Sequence, residues 1–121
     1  MMVIMSKFIN KDNVELNTDV LLWSGAHSGY SHQITLNQDV LKFKEMICVV
    51  KVNGSAEKTI SFSIIDGKIY VSSGMVESYK VMSCSCESYN SSTFEIEIGT
   101  CVWTNSSNNE GAILLKVYGR Y

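Results

Sequence analysis

Apolar and polar residues alternate with period two along much of this chain, and that alternation predicts strands. Thr59-Ile60-Ser61-Phe62-Ser63-Ile64 puts Ile60, Phe62 and Ile64 on one face and small hydroxyls on the other. Phe94-Glu95-Ile96-Glu97-Ile98 repeats the arrangement with Glu95 and Glu97 outward. Gly99 follows where the apolar phase shifts, from Phe94, Ile96 and Ile98 to Cys101 and Trp103, and a glycine at a phase slip predicts a β-bulge. The run Ile47-Cys48-Val49-Val50-Lys51-Val52 is almost continuously apolar, as suits a strand covered on both faces. Asp66-Gly67 between Ile65 and Lys68 is the signature of a tight hairpin turn. The stretch from Val76 to Tyr89 is polar on alternate residues, and Ala112 to Tyr118 closes the chain with Ile113, Leu115 and Val117 on one face.

Ser/Asn/Gly clusters separate these segments, at 24–31, 53–56, 90–92 and 105–111, and read as turns and loops. Asn37 to Phe43 is the one helical candidate, a short turn with Asn37 as its cap. About eight strands with turn signals between them predict an all-β chain, an antiparallel, jelly-roll-like β-sandwich. Residues 19–121 form that domain. Residues 1–18 are less patterned and read as an N-terminal arm or attachment segment, with Val3, Ile4, Phe8 and Ile9 as candidate assembly contacts. The chain has no proline, so its edge strands need charge, bulges or a partner for protection.

Composition narrows the function. A chain of 121 residues fits one domain with a real core. Charged residues are 18% of it, below the usual share, which points to surface hidden against a partner. The net charge is −2 and the lysines are scattered, so the basic footprint that nucleic acid requires is missing. No apolar run approaches the length of a membrane span. The opening Met1-Met2-Val3-Ile4-Met5 is too short for a signal-peptide core, so a cytosolic origin is expected, with or without assembly into a particle there.

Candidate chemistry is sparse. Cys48, Cys84, Cys86 and Cys101 read as reduced, buried thiols, because the single close pair Cys84-Ser85-Cys86 lacks the spacing of a structural zinc site. His27 and His32 sit near each other in a Gly/Ser-rich segment with no third ligand at a defined spacing, and read as polar surface residues. Tyr30 lies between them, and the three together are the candidate ligand contacts. Glu95 and Glu97 are same-face neighbours, explained by a solvated strand face without glycosidase chemistry. Trp23 and Trp103 are assigned to the core between sheets. No P-loop, dinucleotide turn, nucleophile elbow or calcium loop is present, so neither an enzyme nor a cofactor is indicated.

Val20-Leu21-Leu22-Trp23-Ser24-Gly25, a short Gly/Ser stretch and then Gln33-Ile34-Thr35-Leu36 resemble the opening of the terminal β-domains of tailed-bacteriophage tail-fibre, baseplate and head-fibre proteins. In that family a Leu-Trp/Tyr-Ser-Gly strand precedes an Ile-Thr-Leu strand, a short turn and a strand rich in Ile and Val, here Met46 to Val52. The closing Leu114-Leu115-Lys116-Val117-Tyr118-Gly119 is similar to the family's last strand, while the middle of the chain matches only in character. The resemblance implies a virion structural protein that assembles as a homotrimer or larger array, contacts other virion proteins, and either attaches to host-surface carbohydrate or cements virion parts. The short N-terminal lead departs from fibre polypeptides and favours, as an alternative, a capsid-decorating or accessory protein. A free carbohydrate-binding module is a further alternative, from a different class.

Overall fold

The computed structural model describes residues 8–9, 15–17, 19–52, 56–71, 75–77, 80–103 and 109–121. Two short strands, β1 (Phe8–Ile9) and β2 (Glu15–Asn17), pair with each other apart from the rest. Of the assembly candidates, Phe8 and Ile9 make up β1, while Val3 and Ile4 lie outside the described residues.

The remaining strands are β3 (Asp19–Gly29), β4 (Ser31–Thr35), β5 (Glu45–Lys51), β6 (Glu57–Ile65), β7 (Lys68–Val71), β8 (Met75–Glu77), β9 (Lys80–Asn90), β10 (Glu95–Trp103) and β11 (Asn109–Arg120). All pair antiparallel, giving the expected all-β, sandwich-like fold. One layer runs β7-β6-β5-β11-β3 and the other β8-β9-β10-β4. They share one corner. There the last residues of β10, Cys101–Trp103, pair with the first of β11, Gly111–Asn109. Beyond that corner β10 and β11 part, and the β3–β4 hairpin fills the fork, β3 pairing with β11 and β4 with β10.

The core lies between the layers. Met46, Cys48 and Val50 of β5, Ile60 and Phe62 of β6, and Leu114 and Val117 of β11 meet Ile96, Ile98 and Val102 of β10 and Ile34 of β4. Burying a side chain of this size contributes about 1.5–3 kcal/mol. The apolar run on β5 serves both faces as expected: Ile47 faces away from this core beside Tyr118, yet is only 7% exposed. Asp66 and Gly67 have φ of 51° and 74°, the paired left-handed conformation of a two-residue hairpin turn, and they join β6 to β7.

Four local expectations are corrected. The Gly/Ser segment at 24–29 is not a loop: it belongs to β3 and pairs along β11, its small side chains tolerating two bulges, at Leu22 and at Gly25-Ala26. The closing strand also slips at Leu115, so Ala112, Leu114 and Val117 are the buried residues, not Ile113, Leu115 and Val117. The bulge in the sheet pairing of β10 lies at Glu97/Ile98, with Glu87 of β9 as the extra residue, not at Gly99.

The short turn is a single 3₁₀ turn, Val40–Lys42, capped by Asp39 and not by Asn37. Asn37 instead binds β3, its backbone N–H donating to Leu22 O and its side-chain amide to Leu21 O. Asp39 accepts from Leu41 N–H and from the Tyr89 hydroxyl at 2.6 Å, and the same hydroxyl oxygen accepts from Val40 N–H. Burial, then the bond to Asp39, pushes the Tyr89 phenol up to about 12. Tyr89 thus ties the turn to β9. Tyr89→Phe is expected to cost about 1–3 kcal/mol, because it removes a charge-assisted bond and leaves a backbone donor unmatched. Urea unfolding measures it, and an unchanged midpoint would show that the turn holds without that bond.

Candidate functional site

The β3–β4 hairpin brings His27 and His32 together. Their Nδ1 atoms are 2.9 Å apart, and the rings meet at 74°. His32 is no surface residue. It is fully buried on β4, and its Nε2 lies 2.6 Å from Thr100 Oγ1 of β10. Thr100 is itself 1% exposed and fills an inward position between Ile98 and Val102. The inward phase of β10 therefore does not shift to Cys101 and Trp103 as expected: Thr100 takes the inward place, and its hydroxyl is satisfied by the histidine. Neither residue reveals this when considered alone, since they are 68 positions apart.

The chain His27–His32–Thr100 is satisfied with both rings neutral, one Nδ1–H lying between them. It still holds with one added proton. A second would set two N–H groups against each other. Burial first, then the charge of His27, lowers the His32 pKa to about 4, so the imidazole is neutral at ordinary pH. His32 is thus a structural clasp across the corner. Tyr30, at the turn of the hairpin, is 55% exposed and is the member of the predicted trio that solvent reaches most freely.

Glycine shapes the same corner. A Cβ on Gly111 would lie 2.4 Å from the carbonyl carbon and oxygen of Gly29, so the backbones of β3 and β11 pass with no room between them. Gly29 has φ +131°, a conformation open to glycine.

Two thiols border this corner, Cys101 opposite Gly111 and Cys84 opposite Thr100. Cys48 is fully buried, and burial, with the neighbouring thiols of Cys84 and Cys86 adding to it, holds it protonated. Burial pushes Cys84 and Cys86 up to about 11. Thiolate is the reactive and metal-binding form, so these groups act as small core hydrophobes. Among the described residues, no three His, Cys, Asp or Glu side chains converge as metal ligands.

The outer face of the β4-β10-β9 sheet was not singled out by its sequence. Cross-strand registers align Thr35, Glu95 and Asn90 in one row, Gln33, Glu97 and Ser88 in the next, and Ser31, Gly99 and Ser85 in a third. The first two rows line a shallow groove of about 580 Å³. Glu97 accepts from Ser31 Oγ at 2.5 Å and from Gln33 Nε2 at 3.5 Å. Ser85 donates to Glu87 at 2.7 Å, and both side chains lie over Gly99, where a Cβ would fall 2.9–3.0 Å from them. At the far end of the sheet Trp103 stands opposite Val81, 45% exposed. The two tryptophans therefore differ: Trp23 is half-buried against the core, and Trp103 faces solvent.

The architecture is that of a small antiparallel β-sandwich with a clasped corner and one polar sheet face. No family model, curated protein or solved structure matches this chain.

Proposed function

We propose that this chain is a non-enzymatic structural β-sandwich of a tailed-bacteriophage virion, of the tail-fibre or baseplate type, that assembles as a homotrimer and attaches to other virion proteins. The observation that supports this reading is that the segments carrying the resemblance interlock as one unit. In Leu22-Trp23-Ser24-Gly25 the Trp23 indole folds over Gly25, where a Cβ would meet Cζ2 at 2.8 Å. Ile34 and Leu36 of the Ile-Thr-Leu segment both enter the core. Asn37 ties the end of that segment back to Leu21 and Leu22. The closing strand β11 lies between β3 and β5, and Gly119 leaves room for the buried Phe43 ring, which packs on Tyr121 at 4.5 Å. Leu22, Ile34 and Leu36 thus share the core, and Asn37 and β11 tie the segments to one another.

Light scattering of the purified protein at low and high concentration tests the proposal. A trimer mass independent of concentration is the expected result. A strict monomer would sink the homotrimer and leave a decoration protein that orders only on its particle, or a free binding module.

A further inference from the structure

We infer that residues 24–33, the tip of the β3–β4 hairpin, form an acid-released latch that leaves the fork between β10 and β11 while the rest of the sandwich stays folded. A device of this kind lies outside the virion reading and does not depend on it. Burial is its first basis. From Ser24 to Gln33 the one buried side chain is that of His32, and every other residue is exposed or half-buried. Burial resumes at both ends of the tip, with Leu22 and Trp23 on one side and Ile34 and Leu36 on the other, all packed in or against the core. No apolar side chain therefore fastens the tip, and Trp23 and Ile34 are fixed points on which it turns. Among the described residues, β3 pairs with β11 alone and β4 with β10 alone. Lifting the tip breaks no other ladder, and Cys101–Trp103 of β10 remain paired with Gly111–Asn109 of β11.

The fastenings of the tip are polar. Besides its ladder bonds, Tyr30 O accepts from Thr100 N–H at 2.9 Å, Ser31 Oγ donates to Glu97 on the outer face, and His32 joins His27 to Thr100 inside the corner. Segments held with few buried apolar contacts open at lower free energy than the core. Two Nδ1 atoms 2.9 Å apart hold one hydrogen between them, and His32 is fully buried. A second added proton sets two N–H groups face to face where no water relieves them. In the lifted tip both rings meet water and take up protons freely. Acid therefore favours the lifted state, by about tenfold per pH unit where the two states differ by one proton.

Few other titratable groups face the pair. β10 presents Ile98 and Thr100 on that side, with Glu95 and Glu97 on its opposite face. β9 places Cys84 and Cys86 opposite Thr100 and Ile98, β5 contributes Cys48 to the same core, and burial keeps all three thiols protonated. β11 runs beside the tip with Ala112 and Leu114, and carries Glu110 opposite Val102. Glu97 and Glu110 are thus the carboxylates to control for. Lifting the tip uncovers Ile98, Ala112 and Leu114, the register partners of His32, Gly29 and His27, and frees the facing edges of β10 and β11.

Amide hydrogen exchange at half-unit pH steps from 7 to 4.5, expressed as protection factors, tests the latch. The tip amides that pair with β10 and β11 are expected to be at least about a hundredfold less protected than those of β5 and β6. Their protection should fall about tenfold per pH unit below 6.5, the ordinary value for the imidazole. His32→Gln should abolish that fall whatever its overall stability, while Glu97→Gln and Glu110→Gln retain it. Equal protection of the tip and of β5 would mean that the corner opens only with global unfolding, and overturns the latch. So does a tip whose protection is flat from pH 6.5 to 4.5, a fall that survives His32→Gln, or one that either glutamate substitution removes.

Discussion

Gly111→Ala is expected to lower the melting temperature by more than about 12 °C, a loss on the order of 3 kcal/mol, or to prevent folding. The added methyl would sit 2.4 Å from the backbone carbonyl of Gly29. Backbone cannot turn aside as a long side chain can, and here it is held on both sides: Gly29 pairs with Ala112, and Tyr30 O accepts from Thr100 N–H at 2.9 Å. Relief would require the β3–β4 hairpin to leave the fork between β10 and β11, which would expose His32 and Ile34. The contrast is Gly67→Ala. Gly67 has φ +74° with nothing within 4 Å of the added atom, so only the backbone penalty applies, about 1 kcal/mol. Thermal melts of the two variants should differ widely. Equal melting temperatures would mean that the corner is not closed as described.

The second large effect is acid sensitivity between pH 6.5 and 4. His32 has an ordinary value of 6.5 in the unfolded chain and about 4 when folded. In that window the unfolded chain binds the proton and the folded one resists it, so the unfolded state is favoured progressively as pH falls. The stabilisation is full above pH 6.5 and is lost on passing below 4. Each pH unit between those two values is worth about 1.36 kcal/mol, so the loss reaches at most about 3 kcal/mol. Asp19 titrates separately. Its hydrogen bond to Arg120, at 2.7 Å, lowers its pKa from 3.8, so its contribution is lost only below that. Urea unfolding at half-unit pH steps should show stability falling from pH 6.5 to 4 in the native chain. His32→Gln should be less stable at neutral pH and show a much flatter dependence in that window. An equally steep dependence in the variant would assign the effect to other groups.

Both effects arise at a corner that the sequence pattern did not display. The Gly/Ser-rich residues 24–31 carry no alternation, and Ser and Gly in close succession speak for a turn on local grounds. Residues 24–29 nonetheless form a strand because β11 supplies the hydrogen-bond partners, and two bulges absorb the mismatch. Thr100 reads as an outward residue and His32 as a surface one when each is considered alone. Together they satisfy each other and can both be buried. Size alone places Trp103 inside, yet the unbroken alternation of β10 around Thr100 sends it outward, where it ends the polar face.

The sequence by itself determined the strand class, the Asp66-Gly67 turn and most of the apolar positions, because these depend on period, local φ preference and side-chain type. It also carried the motif segments that meet in β3, β4, β5 and β11. Only the tertiary structure decided which side of each strand became the core and which residues formed the clasp and the groove. Those outcomes turn on bulges, on backbone approaches such as Gly29 to Gly111, and on polar pairs drawn from distant strands. A one-residue change in register exchanges the two faces of a strand, and nothing local in the chain fixes that register.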